Sequence, residues 1–247
     1  MKMKGIAATI CAAFLAGSAH AAHFGYEGAE APEFWGDLSL DYAVCKTGKF
    51  QSPIDITNAI AARKHRKTYF YYGGEADSIV NNGHTIQLSF RQANVMLFEG
   101  KQYKLLQAHF HTPSEYTVNG RHYPMVAHLV HQRDDGQVLV VAVMFKEGLP
   151  NPVIEKIWQH APEQAGTPDA HVAGMRFNVA QFVRNFRSYY RLAGSLTTPP
   201  CTEGVMWLVG KNPITASKAQ IQHFTAIIGK NNRPVQPANG RPVLLSQ

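Results

Sequence analysis

Beyond its first 21 residues, the chain lacks any apolar stretch long enough to cross a membrane. It also lacks internal repeats, low-complexity tracts and a Pro/Gly/Ser-rich linker, and its positive charges do not form a long single-sign tail. The densest basic cluster, RKHRK at 63–67, precedes the aromatic run TYFYY, and we interpret it as a solvated loop that leads into a strand. These absences argue against a membrane-spanning protein, a second domain and a nucleic-acid partner.

The first 21 residues have the pattern of a secretory signal peptide. Lys2 and Lys4 precede the apolar run IAATICAAFLAG, and AHA offers a small-x-small cleavage site after Ala21. The flanking pattern disfavours an N-terminal helix of the fold. Removing 21 of the 247 residues leaves a domain of 226 residues, 22–247, and removing two lysines lowers the net charge from +7 to +5. We therefore predict an exported protein, with the periplasm as its destination and secretion beyond the cell as the alternative.

Cysteine is scarce, with three residues in the whole chain. Cys11 lies within the predicted signal peptide, which leaves Cys45 and Cys201. An even pair in an oxidising compartment predicts one disulfide, with two unpaired buried thiols as the alternative.

The middle of the chain contains segments with strand character that are separated by short turns such as FEGK and RDDG. Connections this short predict antiparallel neighbours, because a parallel crossover needs a dozen or more residues. Helices are predicted at NPVIEKIWQH, which has an Asn cap followed by Pro, and at SKAQIQHFTAII. The chain is therefore predicted to be mainly β, a single domain built on a large, mostly antiparallel twisted sheet with a few short peripheral helices. The predicted strands lie at 84–90, 94–98, 102–111, 125–132 and 137–145.

The stretch QAHFHTPSEYTVNG, residues 107–120, places His109 and His111 on one face of a strand. In a chain with 12 histidines, such a pair by itself is more often a chance arrangement than a metal site. An antiparallel strand MVAHLVHQ would bring His128 level with the pair, and three ligands with a fourth open position are the pattern of catalytic zinc. His131, on the opposite face, is predicted to be a core histidine, and His122 to be exposed.

The segment HFHTPSE also resembles the first motif of the cupins, which are metal-binding β-barrels. Their second motif requires Pro-x-Gly before a later histidine, and Pro-x-Gly does not occur in this chain. The cupin alternative, a metal oxygenase, is therefore disfavoured.

Six motifs together resemble an α-class carbonic anhydrase of the exported bacterial kind, over nearly all of the chain from residue 24 to the end. The resemblance implies that family's fold, with a sheet of about ten strands, and zinc-dependent, reversible hydration of carbon dioxide to bicarbonate and a proton. It also implies inhibition by sulfonamides and anions, and a disulfide between Cys45 and Cys201. The motifs are GKFQSPIDI (48–56), NNGHTIQ (81–87), QAHFHTPSE (107–115), AHLVH (127–131), YRLAGSLTTPPCTEGVMWLVG (190–210) and NNRPVQP (231–237).

The same resemblance assigns the metal site. It implies that Thr197 hydrogen-bonds the zinc-bound hydroxide and that Glu115 accepts the proton of the threonine. Gln107 is the implied partner of the first zinc ligand. The implied ligands of Zn²⁺ are His109, His111 and His128.

The resemblance further implies a dry pocket for carbon dioxide, which is a neutral molecule and needs no charged anchor. Thr198 is implied to lie beside the substrate or the product bicarbonate. From the sequence alone the lining residues would be ordinary core positions. They are Val130, Val140, Leu196 and Trp207.

His84 matches the proton shuttle of the family, and its ordinary pKa near 6.5 suits proton transfer at neutral pH. Gln87 stands where the family often has asparagine. The residues that the resemblance assigns to the water path are Tyr26, Asn82 and Gln87.

One position departs from the family pattern. Val126 stands two residues before the third predicted ligand, where family members usually carry a glutamate that binds the second ring nitrogen of that ligand. Loss of such a partner typically costs roughly 10- to 100-fold in metal affinity or activity. It is the only sequence feature that favours a non-catalytic, zinc-binding relative, and the sequence leaves the oligomeric state open.

Overall fold

A large mixed β-sheet organises the computed structural model, which describes residues 22–62, 67–74, 76–90, 94–166, 170–171, 177 and 179–246. Within these residues thirteen strands form the main sheet, and β1 and β8 form a separate two-stranded sheet. The strands are β1 Asp55–Ile56, β2 Ile60–Ala61, β3 Thr68–Tyr72, β4 Ser78–Asn81, β5 Ile86–Ser89, β6 Asn94–Phe98, β7 Lys101–His111, β8 Thr117–Val118, β9 Met125–Gln132, β10 Val138–Glu147, β11 Ala170–His171, β12 Tyr189–Ser195, β13 Glu203–Gly210, β14 Ile214–Ala216 and β15 Leu244–Ser246.

The α-helices are short, as predicted. Asn151 caps α3, accepting from the backbone N–H of Val153 at 3.0 Å and of Ile154 at 3.2 Å. Ser217 and Gln220 form a capping box at the start of α5, which ends before Gly229. The helices are α1 Trp35–Leu38, α2 Val44–Thr47, α3 Pro152–Trp158, α4 Ala180–Val183 and α5 Lys218–Ile228, and 3₁₀ turns occupy Gly28–Glu30 and Leu40–Tyr42.

The strand order of the main path is β11-β4-β5-β7-β9-β10-β13-β12-β15-β2. The predicted antiparallel neighbours β7, β9 and β10 pair in that order. Strands β5 and β6, although consecutive in the chain, do not pair with each other, because they share one edge of β7: β6 pairs with its first half and β5 with its second. Parallel pairings of β10 with β13 and β14, and of β15 with β2, make the sheet mixed.

The central strands separate two apolar clusters. In β10, a run of β-branched and other apolar residues, alternate side chains enter the two clusters: Leu139, Val141 and Val143 one, Val140 and Ala142 the other. The first cluster packs beneath α3, α4 and α5, and the second contains Trp207 and Tyr116. Both faces of these strands are therefore fixed by packing, which holds their register and any site built on it.

Two sequence predictions concern residues that the structure does not describe, and a third concerns membrane-spanning helices. The predicted signal peptide, residues 1–21, and most of the basic cluster, residues 63–66, lie outside the described residues. Among the residues that are described, no helix has the length and apolar character needed to span a bilayer.

Candidate metal centre and active site

Three histidines from β7 and β9 meet on one face of the sheet. His109 and His111 are two residues apart on β7, and His128 pairs directly with His109 across the antiparallel register. The ring centroids of His109 and His111 are 5.0 Å apart, and His128 lies 5.2 Å from the first and 4.7 Å from the second. One nitrogen from each ring lies within 4.8 Å of the others. The structure thus brings the three predicted ligands together.

An irregularity in β7 gives these histidines their direction. Register with β9 shifts between Leu105 and Gln107, and Leu106 is 41% exposed. Before this bulge, Tyr103 and Leu105 enter the cluster beneath the helices; after it, Ala108 and Phe110 do so. Leu106, the extra residue, therefore moves the odd-numbered side chains that follow it to the opposite face of the sheet. His109 and His111 consequently point away from the cluster beneath the helices.

Hydrogen bonds orient two of the imidazoles. Nδ1 of His109 donates to Oε1 of Gln107 at 2.6 Å, and Nδ1 of His111 donates to the carbonyl oxygen of Asn231 at 2.6 Å. Each bond fixes a neutral tautomer whose other nitrogen, Nε2, is free to accept or to bind a metal. Gln107 therefore has the contact predicted for it.

Burial keeps two of the site histidines neutral. It lowers the pKa of His109 and of His128 well below the usual value, and a charge on neighbouring His111 would lower both further. Neutral imidazole is the form that binds a metal ion, so His109 and His128 are ready to act as ligands at neutral pH.

Several buried polar atoms at this point lack a hydrogen-bond partner among the described residues. They are Nε2 of His111 and both ring nitrogens of His128. Oε2 of Glu115 lies 3.6 Å from Nε2 of His111 and 3.7 Å from Nδ1 of His128. Unpaired buried nitrogens of neutral imidazoles that face one point fit a zinc ion, because each would gain a ligand bond in place of a missing hydrogen bond.

Nε2 of His128 does not face that common point, because the nitrogen of this ring that lies near Glu115 is Nδ1. Val126 precedes it on the same face of β9, is fully buried and pairs with His111 of β7. The aliphatic side chain of Val126 offers no acceptor, so the sequence departure corresponds to an unpaired nitrogen in the structure.

Glu115 is fully buried below the histidines. Burial raises the pKa of its carboxyl, while His111, a hydrogen bond with the Thr197 side chain and Arg233 oppose that rise. The backbone N–H of Arg233 donates to Oε1 of Glu115 at 3.0 Å. The carboxylate is thereby held as a hydrogen-bond acceptor for Thr197.

The segment after β12 carries Thr197 and is anchored on several sides. The backbone N–H of Leu196 donates to the carbonyl of Thr202 at 2.9 Å, and that of Cys201 donates to the carbonyl of Thr198 at 2.9 Å. Cys201 is bonded to Cys45 in α2, with Cα atoms 5.0 Å apart. The structure thus contains the disulfide that the resemblance implied, and this bridge ties the threonine segment to the N-terminal part of the domain.

Asn231 and Arg233 contact the candidate site although neither is individually predicted from the sequence; both lie within the motif NNRPVQP. Asn231 accepts from His111 through its backbone and, through its side chain, donates to the carbonyls of His84 and Phe110, both at 2.9 Å. The buried guanidinium of Arg233 donates to Gln51, to the carbonyl of Ser52 and to that of Cys45, at 2.8 to 2.9 Å. The motif match was the signal that pointed to this segment.

An apolar row runs across the sheet beside the histidines. Val130 pairs with Val140 on β10, and Val140 pairs with Trp207 on β13, so the three lie level on adjacent strands. Leu196 packs against the same cluster. Val130, Val140 and Trp207, which are predicted to line the carbon dioxide pocket, therefore lie two residues along the strands from the row that contains His109 and His128.

The predicted proton path starts on the opposite side of the histidines. Gln87 pairs with His109 across β5 and β7, and Oδ1 of Asn82 accepts from the backbone N–H of His84 and of Thr85, both at 2.9 Å. The hydroxyl of Tyr26 is buried without a partner among the described residues. His84 is half-buried and stacks on Phe24, with centroids 4.0 Å apart and an interplanar angle of 11°.

The predictions for the two histidines outside the candidate site, His131 and His122, are confirmed. His131 is fully buried, hydrogen-bonded to Tyr72 and to the carbonyl of Leu139, and burial lowers its pKa to about 4. His122 is exposed, and its Nδ1 donates to the carbonyl of Ser114 at 2.5 Å.

Comparison with known proteins gives this geometry a family. The sequence profile described as eukaryotic-type carbonic anhydrase matches residues 30–247. The chain belongs to the α-carbonic anhydrase family. Among its relatives, the carbonic anhydrase of Pectobacterium atrosepticum is 40% identical over 98% of this chain and all of its own, and that of Neisseria gonorrhoeae is 42% identical over 95% and 92%.

A solved structure supports the same assignment. The α-carbonic anhydrase of Thermovibrio ammonificans, in complex with the inhibitor sulfanilamide, superposes with a TM-score of 0.87 at 46% identity, covering 91% of this chain and all of its own. The family assignment makes the protein a lyase that hydrates carbon dioxide, confirms the predicted fold and excludes the cupin alternative.

Proposed function

We propose that this carbonic anhydrase is an exported, zinc-dependent enzyme in which His84 carries the product proton away. The overall reaction converts carbon dioxide and water into bicarbonate and a proton, and it is reversible. The observation that carries the zinc assignment is the convergence of three imidazoles, two of which, His111 and His128, have buried nitrogens without a hydrogen-bond partner among the described residues. His109 and His111 would bind through Nε2, and His128 through Nδ1.

Zinc held by these three histidines would lower the pKa of a water molecule bound to it and so make hydroxide available near neutral pH, an effect for which carbonic anhydrase is the standard example. The chain supplies the rest of the mechanism. Arg233 holds one oxygen of Glu115, so Thr197 donates its hydroxyl proton to that carboxylate. Oγ1 of Thr197 is thereby left as an acceptor, and it orients the attacking oxygen by taking its hydrogen.

The level row Val130, Val140 and Trp207, with Leu196 beside it, excludes water from the space where carbon dioxide approaches. An apolar wall suits a substrate without charge, and Thr198, two residues after Leu196, would hydrogen-bond bicarbonate. His84 then takes the proton that hydration releases, through water that Tyr26, Asn82 and Gln87 would contact. Its pKa, lowered by burial, lets it give the proton up again at neutral pH.

The sulfanilamide complex of the Thermovibrio ammonificans enzyme supports a further part of the proposal. We expect sulfonamides and small anions to inhibit this protein by competing with water at the zinc ion that the three histidines would hold. The predicted signal peptide and the disulfide fit export to the periplasm.

The test is stopped-flow hydration of carbon dioxide by residues 22–247, normalised to measured zinc and compared with the zinc-free protein. Fast hydration that requires zinc, and that Thr197→Ala lowers much more than Thr197→Ser, is the expected result, because serine keeps the hydroxyl. Full zinc occupancy without hydration above background would refute the proposal and favour the non-catalytic alternative.

A further inference from the structure

The geometry points to His23 as a second relay residue, which accepts the product proton from His84 and releases it to solvent. This inference rests on the proposed role of His84 as the first acceptor. The ring centroids of His23 and His84 are 5.7 Å apart, with an interplanar angle of 44°. A rotation of the exposed ring or one bridging water spans that separation.

The segment that carries His23 is fixed to the domain. The hydroxyl of Tyr42 donates to the carbonyl of Ala22 at 2.7 Å, and Nε1 of Trp35 donates to the carbonyl of Gly25 at 2.8 Å. The backbone N–H of Gly25 donates to the carbonyl of Glu30 at 2.8 Å, which closes the segment into a loop. His23 is therefore held next to His84 by contacts on both sides of it in the chain.

Phe24 positions the inner member of the pair. Its ring lies against one face of the His84 imidazole and also contacts Trp35 edge-on, with centroids 5.4 Å apart. This stacking covers one face of His84 and leaves the ring edge, where the nitrogens are, for proton exchange. The more exposed ring beside it is that of His23.

The His23 ring is more exposed than the His84 ring and lies next to a carboxylate, as an outward proton relay requires. His84 is half-buried, whereas the side chain of His23 is 71% exposed and its Nδ1 lies 3.0 Å from Oε2 of Glu30. The carboxylate of Glu30 therefore lies beside the ring that would receive the proton. The pKa of His84 is lowered first by burial and then by charge on His23, and Glu30 opposes the shift. A proton on His84 thus has a better-solvated acceptor beside it.

The transfer conserves charge. His84 loses the proton and returns to neutral imidazole, while His23 gains it and becomes imidazolium beside Glu30. Water or a buffer molecule then takes the proton from His23, which restores the pair for the next turnover.

The test uses zinc-loaded residues 22–247 and compares the wild type with His23→Gln, at low buffer concentration and with added imidazole. Hydration precedes proton release, so we expect His23→Gln to lower kcat several-fold at low buffer while kcat/KM and zinc content stay unchanged. Imidazole in solution should restore kcat. The double variant His23→Gln/His84→Ala should be no slower than His84→Ala, because the outer residue acts through the inner one.

Other results separate the two proposals. If kcat of the wild type is limited by buffer and kcat of His23→Gln equals it at low buffer concentration, the relay is overturned and the proposed function stays intact. A fall in kcat/KM as large as that in kcat, without rescue by imidazole, would show a structural role instead. Zinc-loaded wild type without hydration would refute the proposed function itself.

Discussion

At the scale of single residues, Nε2 of His128, which has no hydrogen-bond partner among the described residues, sets this candidate metal centre apart from the family pattern. Val126 is fully buried on the same face and provides no acceptor. We predict that Val126→Glu slows zinc loss to a chelator by about 10- to 100-fold, the range typical of partners that support a metal ligand. The measurement is the rate of zinc transfer to a chromogenic chelator.

The matched control is Val126→Met, which has a side chain of similar length but no carboxylate. It tests whether a larger side chain at this packed position changes the metal centre by itself. If Val126→Glu and the wild type released zinc at equal rates, with both folded, the second ring nitrogen would have no influence on metal retention.

The predicted metal ligands can be identified from local sequence patterns, whereas some of the residues that contact them cannot. His109 and His111 follow from strand alternation, and Gln107 lies on the same strand. Asn231 and Arg233, by contrast, meet His111 and Glu115 across 120 and 118 residues of chain. No local pattern encodes such contacts, because they depend on how distant segments pack.

At the scale of elements, the bulge at Leu106 decides which face of β7 carries the histidines. We predict that deleting Leu106 abolishes stoichiometric zinc binding, because the residues on one side of the deletion must change faces. Zinc content by metal analysis and folding by circular dichroism are the measurements. Leu106→Ala keeps the backbone, and since Leu106 is 41% exposed we expect the control to cost no more than about 0.5 kcal/mol of stability.

A deletion variant that folds and binds one zinc per chain would show that the bulge is dispensable. A misfolded deletion variant beside a folded, zinc-binding Leu106→Ala would agree with the prediction. Zinc loss in both variants would instead assign the effect to the leucine side chain.

Sequence patterns predicted the elements better than their pairing. The five predicted strands and both predicted helices are present, with ends displaced by a few residues. QYKLLQAHFH has no sign of a bulge, because strict alternation would place Leu105 on the same face as His109; only the register with β9 reveals the extra residue. The parallel pairing of β10 with β13 likewise joins segments that are far apart in the chain.

At the scale of the whole molecule, the candidate active site is built from two parts of the fold that are held in place by different interactions. The three histidines stand on β7 and β9, whose register is fixed by packing on both faces. Thr197, in contrast, follows β12 in a segment that is held by the bridge from Cys201 to Cys45 and by neighbouring hydrogen bonds. Metal binding and orientation of the attacking oxygen should therefore respond differently to a loss of that bridge.

We predict that Cys45→Ser/Cys201→Ser lowers the free energy of unfolding by about 2–5 kcal/mol, because the bridge closes a long loop in the unfolded chain. Below its unfolding transition, the double variant should keep its zinc, since the ligand strands do not depend on the bridge, but lose part of kcat as the Thr197 segment loosens. Urea denaturation, metal analysis and stopped-flow hydration measure the three effects. Reducing agent should reproduce these three effects in the wild type and have no further effect on the double variant. Identical urea denaturation curves for the wild type and the double variant would contradict the prediction. Loss of zinc together with kcat would show that the bridge also supports the metal ligands.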